Sequence, residues 1–208
     1  MTIESAGETK RPYELGKRLE QMDQSRAAIL RAVREQLEAK GYRQWTMASL
    51  AAQSGVTRQT IHNLFGTKSA VLEALFDVIA LDGGMESMRE VMTVASPAAM
   101  LQGYVEVFCR FWASNRLLIR RIHGIGAIDP EFGSVIQERN GRRFRAAMRI
   151  VGKLGCREDA KERAAALTAL TSFEFFDALA ENLPHEKQTI AIVLEMTRKL
   201  FASSIAME

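Results

Sequence analysis

The side chains best suited to binding chemistry lie close together in residues 58–63, Arg-Gln-Thr-Ile-His-Asn. Apart from the isoleucine, each of them can donate or share hydrogen bonds, and none is negatively charged. A guanidinium such as that of Arg58 can pair with the acceptor edge of guanine, or it can contact a phosphate without reading sequence. The stretch therefore predicts a nucleic-acid-binding surface. For Arg58, Gln59 and Thr60, base reading and phosphate contact both remain open.

Two short helices and a tight turn are needed to present these side chains. Thr46 and Thr57 are good N-cap residues, and Gly55 tolerates the left-handed conformation that ends a helix. Ile61 and Leu64 lie three residues apart, so they share the face that packs against the first helix. The pattern predicts a helix-turn-helix in which Thr46 and Thr57 contact phosphates through their hydroxyls and backbone.

The charge around this unit favours a polyanionic partner. Residues 39–72 contain no Asp or Glu, although the chain has 25 acids in 208 residues. Four cations give the stretch a balance of +4 with His62 neutral: Lys40, Arg43, Arg58 and Lys68. A helical hairpin used only for packing is the alternative, and the acid-free surround with its polar outer face disfavours it.

Residues 26–76 resemble the TetR family of bacterial transcription regulators. The resemblance is carried by Gly41-Tyr42 and by residues 46–57, Thr-Met-Ala-Ser-Leu-Ala-Ala-Gln-Ser-Gly-Val-Thr. It continues through residues 60–68, Thr-Ile-His-Asn-Leu-Phe-Gly-Thr-Lys. We therefore expect the three-helix DNA-binding module of this family, followed by the start of a fourth helix.

The resemblance also implies roles for individual residues. Lys68 matches the family's phosphate-binding lysine at the start of the fourth helix. His62 stands where the family usually has Tyr, and it is expected to bond a phosphate or a base edge. Leu64 stands where an aromatic residue or His is usual, and it is expected to pack.

The family's C-terminal domains bind a small effector and form a homodimer through the last two long helices. The resemblance thus implies a ligand-responsive regulator, most often a repressor, whose two recognition helices enter successive major grooves of a palindromic operator. Effector binding is expected to change the separation of these helices through the helix from Thr67 to about Asp82.

Composition is consistent with a globular cytoplasmic protein. The chain has 47% hydrophobic residues, which is enough apolar material for a core, and its net charge of +3 is modest. Cys109 and Cys156 are isolated and are expected to be reduced core residues. The sequence contains no signal-peptide pattern and no membrane-spanning run, so we expect a soluble protein with no membrane partner.

The pattern along the chain is all-α, with about nine helices and no convincing strand. We expect a flexible N-terminal arm at residues 1–22, with a minor-groove contact as the less favoured alternative. The helix-turn-helix domain should cover residues 23–66, with its first helix starting near Asp23 and ending at Gly41. An effector-binding and dimerisation domain should cover residues 67–208.

Later helices are predicted at about 97–112, 115–123, 130–154, 158–182 and 186–203, with Gly124, Gly126 and Asp129-Pro130 breaking the chain. The last two are apolar around their circumference, so they should bury more than one side. A partner subunit is the economical way to achieve this.

For the effector, the expected pocket combines aromatic wall residues with the carboxylates of the segment 173–177. Glu174 could orient a polar or cationic ligand, although an acid in such a helix more often caps, pairs or faces water. The candidate pocket residues are Tyr104, Phe108, Trp112, His123, Met148, Glu174 and Asp177.

A run of arginines lies between residues 116 and 149. It could form an anion pocket or an extra DNA contact, or it could simply cover solvated helix faces. We favour solvated faces, because Arg142, Arg145 and Arg149 share one face of their helix.

Two other functions remain as alternatives, a helical enzyme and a dimeric adaptor that does not bind DNA. The three histidines are scattered, and Gly124-Ile125-Gly126 lacks the third glycine and the preceding strand of a dinucleotide loop. The sequence therefore predicts no catalytic residues, no metal site and no cofactor.

Overall fold

The structure is a computed structural model that describes residues 10–40 and 45–202. Within these residues the chain forms eleven α-helices, one 3₁₀ turn and no strand, so the predicted all-α class is confirmed. The first five helices are α1 Lys10–Lys40, α2 Met47–Ser54, α3 Arg58–Phe65, α4 Lys68–Asp82 and α5 Met88–Val91, with the 3₁₀ turn at Met85–Ser87 before α5. The others are α6 Pro97–Ser114, α7 Arg116–Ile128, α8 Pro130–Lys153, α9 Ala160–Leu170, α10 Phe173–Asn182 and α11 Glu186–Leu200.

The chain divides into two compact units, one ending at Leu75 and the other beginning at Phe76. This division lies within α4, whereas the sequence suggested a boundary before residue 67. The first unit is built on α1, α2 and α3. Its buried centre includes Ile29, Leu37, Trp45, Leu50 and Ile61, each at most 1% exposed.

Helix α1 begins at Lys10, thirteen residues before the predicted start at Asp23. Residues 16–24 are mostly exposed, so burial does not explain the helix there. Lys, Arg, Leu, Glu, Gln and Met dominate residues 17–22, and these residue types have high helix propensity. The mixed charges that suggested a disordered arm are thus compatible with an exposed helix. The predicted end of the helix at Gly41, and Tyr42 beyond it, lie outside the described residues.

The second unit has its core around α6, where Tyr104, Phe108, Phe111 and Trp112 are all buried. Helix α8 packs against α7 and α9, and α11 packs against α6. Ser96 caps α6 by accepting a hydrogen bond from the Ala99 N–H (3.3 Å). The prediction of a helix opened at Pro97 is therefore confirmed.

Gly124 and Gly126 do not break the chain, because α7 continues through both of them to Ile128. A Cβ on Gly133 of α8 would lie 2.6 Å from the Gly126 carbonyl oxygen, and a Cβ on Gly126 would lie 3.1 Å from Ile136. The glycines at 126 and 133 therefore let the backbones of α7 and α8 approach closely. The predicted break was wrong because sequence alone does not distinguish a helix-breaking glycine from one at a helix contact.

The single helix predicted at 158–182 is two helices, α9 and α10, separated at Thr171 and Ser172. The Trp112 indole N–H donates to the Thr171 carbonyl (3.0 Å), and the Ser172 hydroxyl caps α10 by accepting from the Phe175 N–H (3.1 Å). This break and the one-turn α5 explain why the structure has eleven helices where about nine were predicted. No helix in the described ranges combines the length and the apolar character needed to cross a bilayer.

Candidate nucleic-acid interface and ligand cavity

Helix α2 begins with a complete capping box. The Ser49 N–H donates to the Thr46 hydroxyl oxygen, and the Thr46 N–H donates to the Ser49 hydroxyl oxygen, both at 3.0 Å. The Ser49 hydroxyl also donates to the side-chain carbonyl of Gln36 (3.0 Å), and the Gln36 amide donates to Gln53 (2.9 Å). These bonds tie both ends of α2 to α1 and fix its direction.

The turn between α2 and α3 depends on Gly55, which has φ = 72°. The N–H groups of Gly55 and Val56 both donate to the Ala51 carbonyl, the latter at 3.3 Å, and close the end of α2. Because L-residues with side chains rarely adopt this left-handed conformation, glycine is the residue that permits so sharp a turn.

Helix α3 then begins at a second threonine cap. The Thr57 hydroxyl oxygen accepts from the Thr60 N–H (3.0 Å) and lies 2.9 Å from the Thr60 hydroxyl. Ile61 is fully buried on the inner face of α3, while Arg58, Gln59, His62 and Asn63 are exposed. The sequence-predicted division of α3 into an apolar face and a polar edge is present in the structure.

Two of these polar side chains bind each other along the helix. The Gln59 amide donates to the Asn63 side-chain carbonyl (2.8 Å), which leaves the Gln59 oxygen and the Asn63 amide for partners outside the helix. The predicted set omitted Asn63, although its spacing of four residues from Gln59 is the signal for such a pair.

His62 is held by its Nδ1 atom, which lies 2.9 Å from the Gly66 carbonyl oxygen. A carbonyl only accepts hydrogen bonds, so Nδ1 carries the hydrogen in this contact. In the neutral ring, Nε2 is therefore an acceptor. Such an atom suits a base amino group such as that of adenine or cytosine, whereas a phosphate would require the protonated ring.

The start of α4 lies beside this edge in the sequence and is also capped. The Thr67 hydroxyl oxygen accepts from the Ala70 N–H (3.1 Å), and the Lys68 ammonium lies 4.4 Å from the centre of the Trp45 ring. The guanidinium of Arg26 lies 4.8 Å from the Phe65 ring centre at the end of α3. Aromatic rings thus support cations at both places.

The first unit therefore carries all seven predicted DNA contacts on capped helix starts or on the exposed edge of α3: Thr46, Thr57, Arg58, Gln59, Thr60, His62 and Lys68. Their contact with DNA stays a prediction at this point.

The second unit contains a cavity of about 240 Å³. Its aromatic wall comes from α6 and includes Tyr104, Phe108, Phe111 and Trp112. Four of the seven predicted pocket residues line it: Tyr104, Phe108, Trp112 and His123. The C-terminal half of α4 also contributes, through Phe76 and Ala80.

The predicted acids Glu174 and Asp177, and also Met148, are not part of the cavity lining. Glu174 is 67% exposed and accepts from Nδ1 of His123 (2.8 Å). This hydrogen bond is the main reason that the pKa of Glu174 is lowered to about 2. Glu174 therefore holds the His123 ring at the cavity from outside.

Asp177 binds two arginines of α7. Arg120 donates to it through Nε (2.7 Å), and Arg116 donates to it while also donating to the Ala180 carbonyl (3.1 Å). Burial alone would raise the pKa of Asp177, but the hydrogen bonds from Arg120 and Arg116 outweigh it and lower the pKa. This cluster fastens α7 to α10.

Arg142, Arg145 and Arg149 are exposed, as expected for the solvated face that we favoured, whereas Arg139 and Arg143 are placed differently. Arg143 is only 8% exposed, and Arg139, Arg142 and Arg143 all line the cavity. Positions 132, 136, 139, 143, 147 and 150 recur at helical spacing, and three of the buried residues on this stripe are Phe132, Ala147 and Ile150. Sequence periodicity could therefore have indicated that Arg139 and Arg143 point inward.

Among the described residues, no cluster of His, Cys, Asp or Glu is arranged to hold a metal ion. The cavity lining combines aromatic surface with guanidinium groups.

Comparison with known proteins finds similarity to bacterial transcription regulators. Residues 29–75 match the model described as bacterial regulatory proteins, tetR family. The HTH-type transcriptional regulator EthR of Mycolicibacterium smegmatis is 30% identical over 112 residues, which cover 53% of this chain and 51% of EthR. The match thus spans about half the length of this curated relative.

Solved structures share the fold over most of the chain. A TetR transcription regulator from Haloarcula marismortui has a TM-score of 0.67 and 16% identity, covering 87% of this chain and 97% of its own. NalD, the secondary repressor of the MexAB-OprM multidrug efflux pump in Pseudomonas aeruginosa, has a TM-score of 0.63 and 17% identity, covering 86% and 96%. At these identities the likeness establishes a common fold.

Proposed function

We propose that this chain is a regulator of the TetR family and that it controls transcription by binding operator DNA through α3. The observation that carries the proposal is the exposed polar edge of α3, which lies between the threonine caps of α3 and α4, Thr57 and Thr67. The surrounding sequence has no acid from residue 39 to 72. A DNA duplex can bind such a surface through charge-assisted phosphate contacts and hydrogen bonds to base edges.

Within this function, we assign Arg58 to base reading or phosphate contact near the start of α3. Lys68 and the caps at Thr46 and Thr57 bind phosphates, because helix N-termini present N–H groups and positive potential to anions. Gln59 and His62 face the base edges, with Nε2 of His62 as an acceptor in the neutral ring. In this proposal α3 lies in the major groove.

The finer form of the proposal is a homodimeric repressor that a small effector releases from a palindromic operator. Two copies of α3 would read half-sites about one helical turn apart, and the last helices would join the subunits. The cavity of the second unit would hold the effector. To weaken operator occupancy a hundredfold, the effector needs a preference of about 2.7 kcal/mol for the non-binding state.

The direct test measures binding of the purified protein to a labelled duplex from upstream of its own gene, by fluorescence anisotropy over a range of salt concentrations. Arg58→Ala should weaken binding by about 1–3 kcal/mol, roughly 5-fold to 150-fold, and Lys68→Ala should weaken it while reducing the salt slope by about one. Arg110→Ala is the matched control, since it removes an exposed cation from α6 in the other unit.

The proposal is supported if specific binding weakens as the salt concentration rises. Binding should also be weakened in Arg58→Ala and Lys68→Ala and unchanged in the control Arg110→Ala. Equal affinity for operator and competitor duplex, or unchanged binding in both Arg58→Ala and Lys68→Ala, would refute it. Sedimentation of the complex would separately test the two-copy stoichiometry.

A further inference from the structure

The cavity of the second unit contains a buried positive charge that no described residue neutralises by contact. Arg143 is 8% exposed, and its Nε atom is buried without a hydrogen-bond partner. Within the described residues, no carboxylate lies within ion-pair distance of its guanidinium. A buried charge that lacks a paired counter-charge is costly, so this arrangement requires a physical reason.

The groups around Arg143 do not supply the missing partner. Tyr104 donates its hydroxyl to the backbone carbonyl of Arg143 (3.1 Å), and burial raises the pKa of Tyr104, so the phenol stays neutral. The rings of Phe108 and Trp112 lie 5.7 and 6.0 Å from the guanidinium carbon, at the outer limit of cation–π attraction. Glu174 acts on Arg143 only through its charge, since its ion pair is with His123 and not with the guanidinium.

Arg139 has a similar character one helical turn away on α8. Its Nε atom is also buried without a hydrogen-bond partner, while one of its terminal nitrogens donates to Asp77 (2.6 Å). Its guanidinium carbon lies 4.4 Å from the centre of the Phe76 ring. The cavity thus has two guanidinium groups with unused donors, and no Asp or Glu among its lining residues.

We propose that this cavity binds a small organic anion, a carboxylate or a comparable planar oxyanion, whose charged group pairs with Arg143 and whose apolar body lies against the aromatic wall of α6. The planar fork of a guanidinium matches two carboxylate oxygens, and the pair is strongest where water is excluded. The cavity volume of about 240 Å³ lies below the roughly 300–1,000 Å³ of sites for drug-sized ligands, so the expected ligand is a small aromatic or short-chain acid.

The anion site rests on the proposed function and names its effector class. It differs from the less favoured sequence-based alternative that Glu174 orients a polar or cationic ligand, and it agrees with the favoured one, that this acid pairs or faces water. Glu174 lies outside the lining and binds His123. The charged side chains that line the cavity are therefore arginines, and the charge that it presents to a ligand is positive. The preferred ligand should therefore be the acid rather than its amide or amine analogue.

The test compares matched probes by isothermal titration calorimetry without DNA: phenylacetate, benzoate and hexanoate, each against its neutral amide, with inorganic phosphate as a further anion. At least one acid should bind at least ~10-fold more tightly than its amide. Arg143→Gln should abolish that preference, and Arg143→Lys should keep part of it, because the ammonium retains the charge without the fork. Arg145→Gln, an exposed charge change on the same helix, should bind like the wild type.

Because Arg143 has no counter-ion among the described residues, Arg143→Gln should leave the melting temperature of the ligand-free protein unchanged or raise it. A role in packing alone would instead lower the melting temperature and leave the acid-to-amide ratio intact, and that result would overturn the proposal. The proposal would also be overturned if the wild type bound acids and amides equally, or if it bound none of the probes.

The calorimetric result is independent of the regulatory role. Acids that bind in the cavity without affecting operator affinity would leave the anion site standing and count against effector-controlled release. A protein that binds no operator at all would refute the proposed function, while the calorimetry would still decide the chemistry of the cavity.

Discussion

The crossing of α7 over α8 provides a stability prediction whose sign depends on a single contact. A Cβ added to Gly133 would lie 2.6 Å from the Gly126 backbone oxygen, a distance that real Cβ atoms essentially never show. The backbone oxygen cannot rotate away as a side chain can, so Gly133→Ala must push the helices apart by several tenths of an ångström. The same crossing positions His123 and Arg139 at the cavity.

The magnitude follows from two opposing effects. Overpacking a close contact costs about 1–3 kcal/mol, whereas replacing glycine by alanine within a helix gains up to ~1 kcal/mol. Gly124→Ala makes the same chemical change on α7 at a position where the new Cβ meets nothing within 4 Å. The propensity gain is common to both variants, so Gly133→Ala should be less stable than Gly124→Ala by about 1–3 kcal/mol.

Equilibrium unfolding in urea at one fixed protein concentration measures this difference, because association would otherwise change the apparent stability. Gly124→Ala should match or exceed the wild type, and Gly133→Ala should fall below Gly124→Ala by roughly 2–10 °C in a parallel melting experiment. If Gly133→Ala proves as stable as Gly124→Ala, the close approach of α7 and α8 at these glycines is refuted.

Two further predictions concern the surroundings of the cavity. Asp77→Asn removes the ion pair that joins Arg139 to α4. Calorimetry should show phenylacetate affinity within about threefold of the wild type, while anisotropy should show that the acid releases less operator DNA. Unchanged release would contradict a signal through this ion pair. Glu174, whose pKa is lowered to about 2, should stay ionised as pH falls from 4.5 toward that value and lose its bond to His123 only below it. Carbon NMR of its carboxyl group at pH ~3 should show the ionised form in the wild type and the protonated form in His123→Ala, and identical spectra would contradict the assigned partner.

The helix-turn-helix could be predicted closely because its signals are local. Each cap uses a threonine and a backbone N–H three residues away, and the turn uses one glycine at positive φ. No distant residue is needed to determine that Thr57 begins α3 or that Gly55 ends α2. For the same reason the polar edge of α3 follows from the residue types at positions 58–63 alone.

The second unit was predicted less well because its boundaries depend on partners far along the chain. The break between α9 and α10 at Thr171 involves a hydrogen bond from Trp112, which lies 59 residues earlier. Gly126 permits a helix contact only because Gly133 lies opposite it. Neither relation is visible in the local pattern, and both glycine and threonine–serine pairs are ambiguous when read alone.

Charge alone suggested that the arginines of α8 are solvated, and for Arg143 this interpretation was wrong. The helical spacing of the buried residues would have identified it as inward-facing. Arg142 is 52% exposed and pairs with Glu138, as expected for a solvated face, whereas its neighbour Arg143 lies on the buried stripe with Phe132 and Ala147. A protein that places a guanidinium on an apolar stripe without a carboxylate opposite incurs a desolvation cost in the ligand-free state. That cost is recovered when an anion enters, since the partner then brings the missing charge to a guanidinium that is already buried. The buried Arg143 is thus better explained as half of an ion pair whose other half is the ligand than as an element that stabilises the fold.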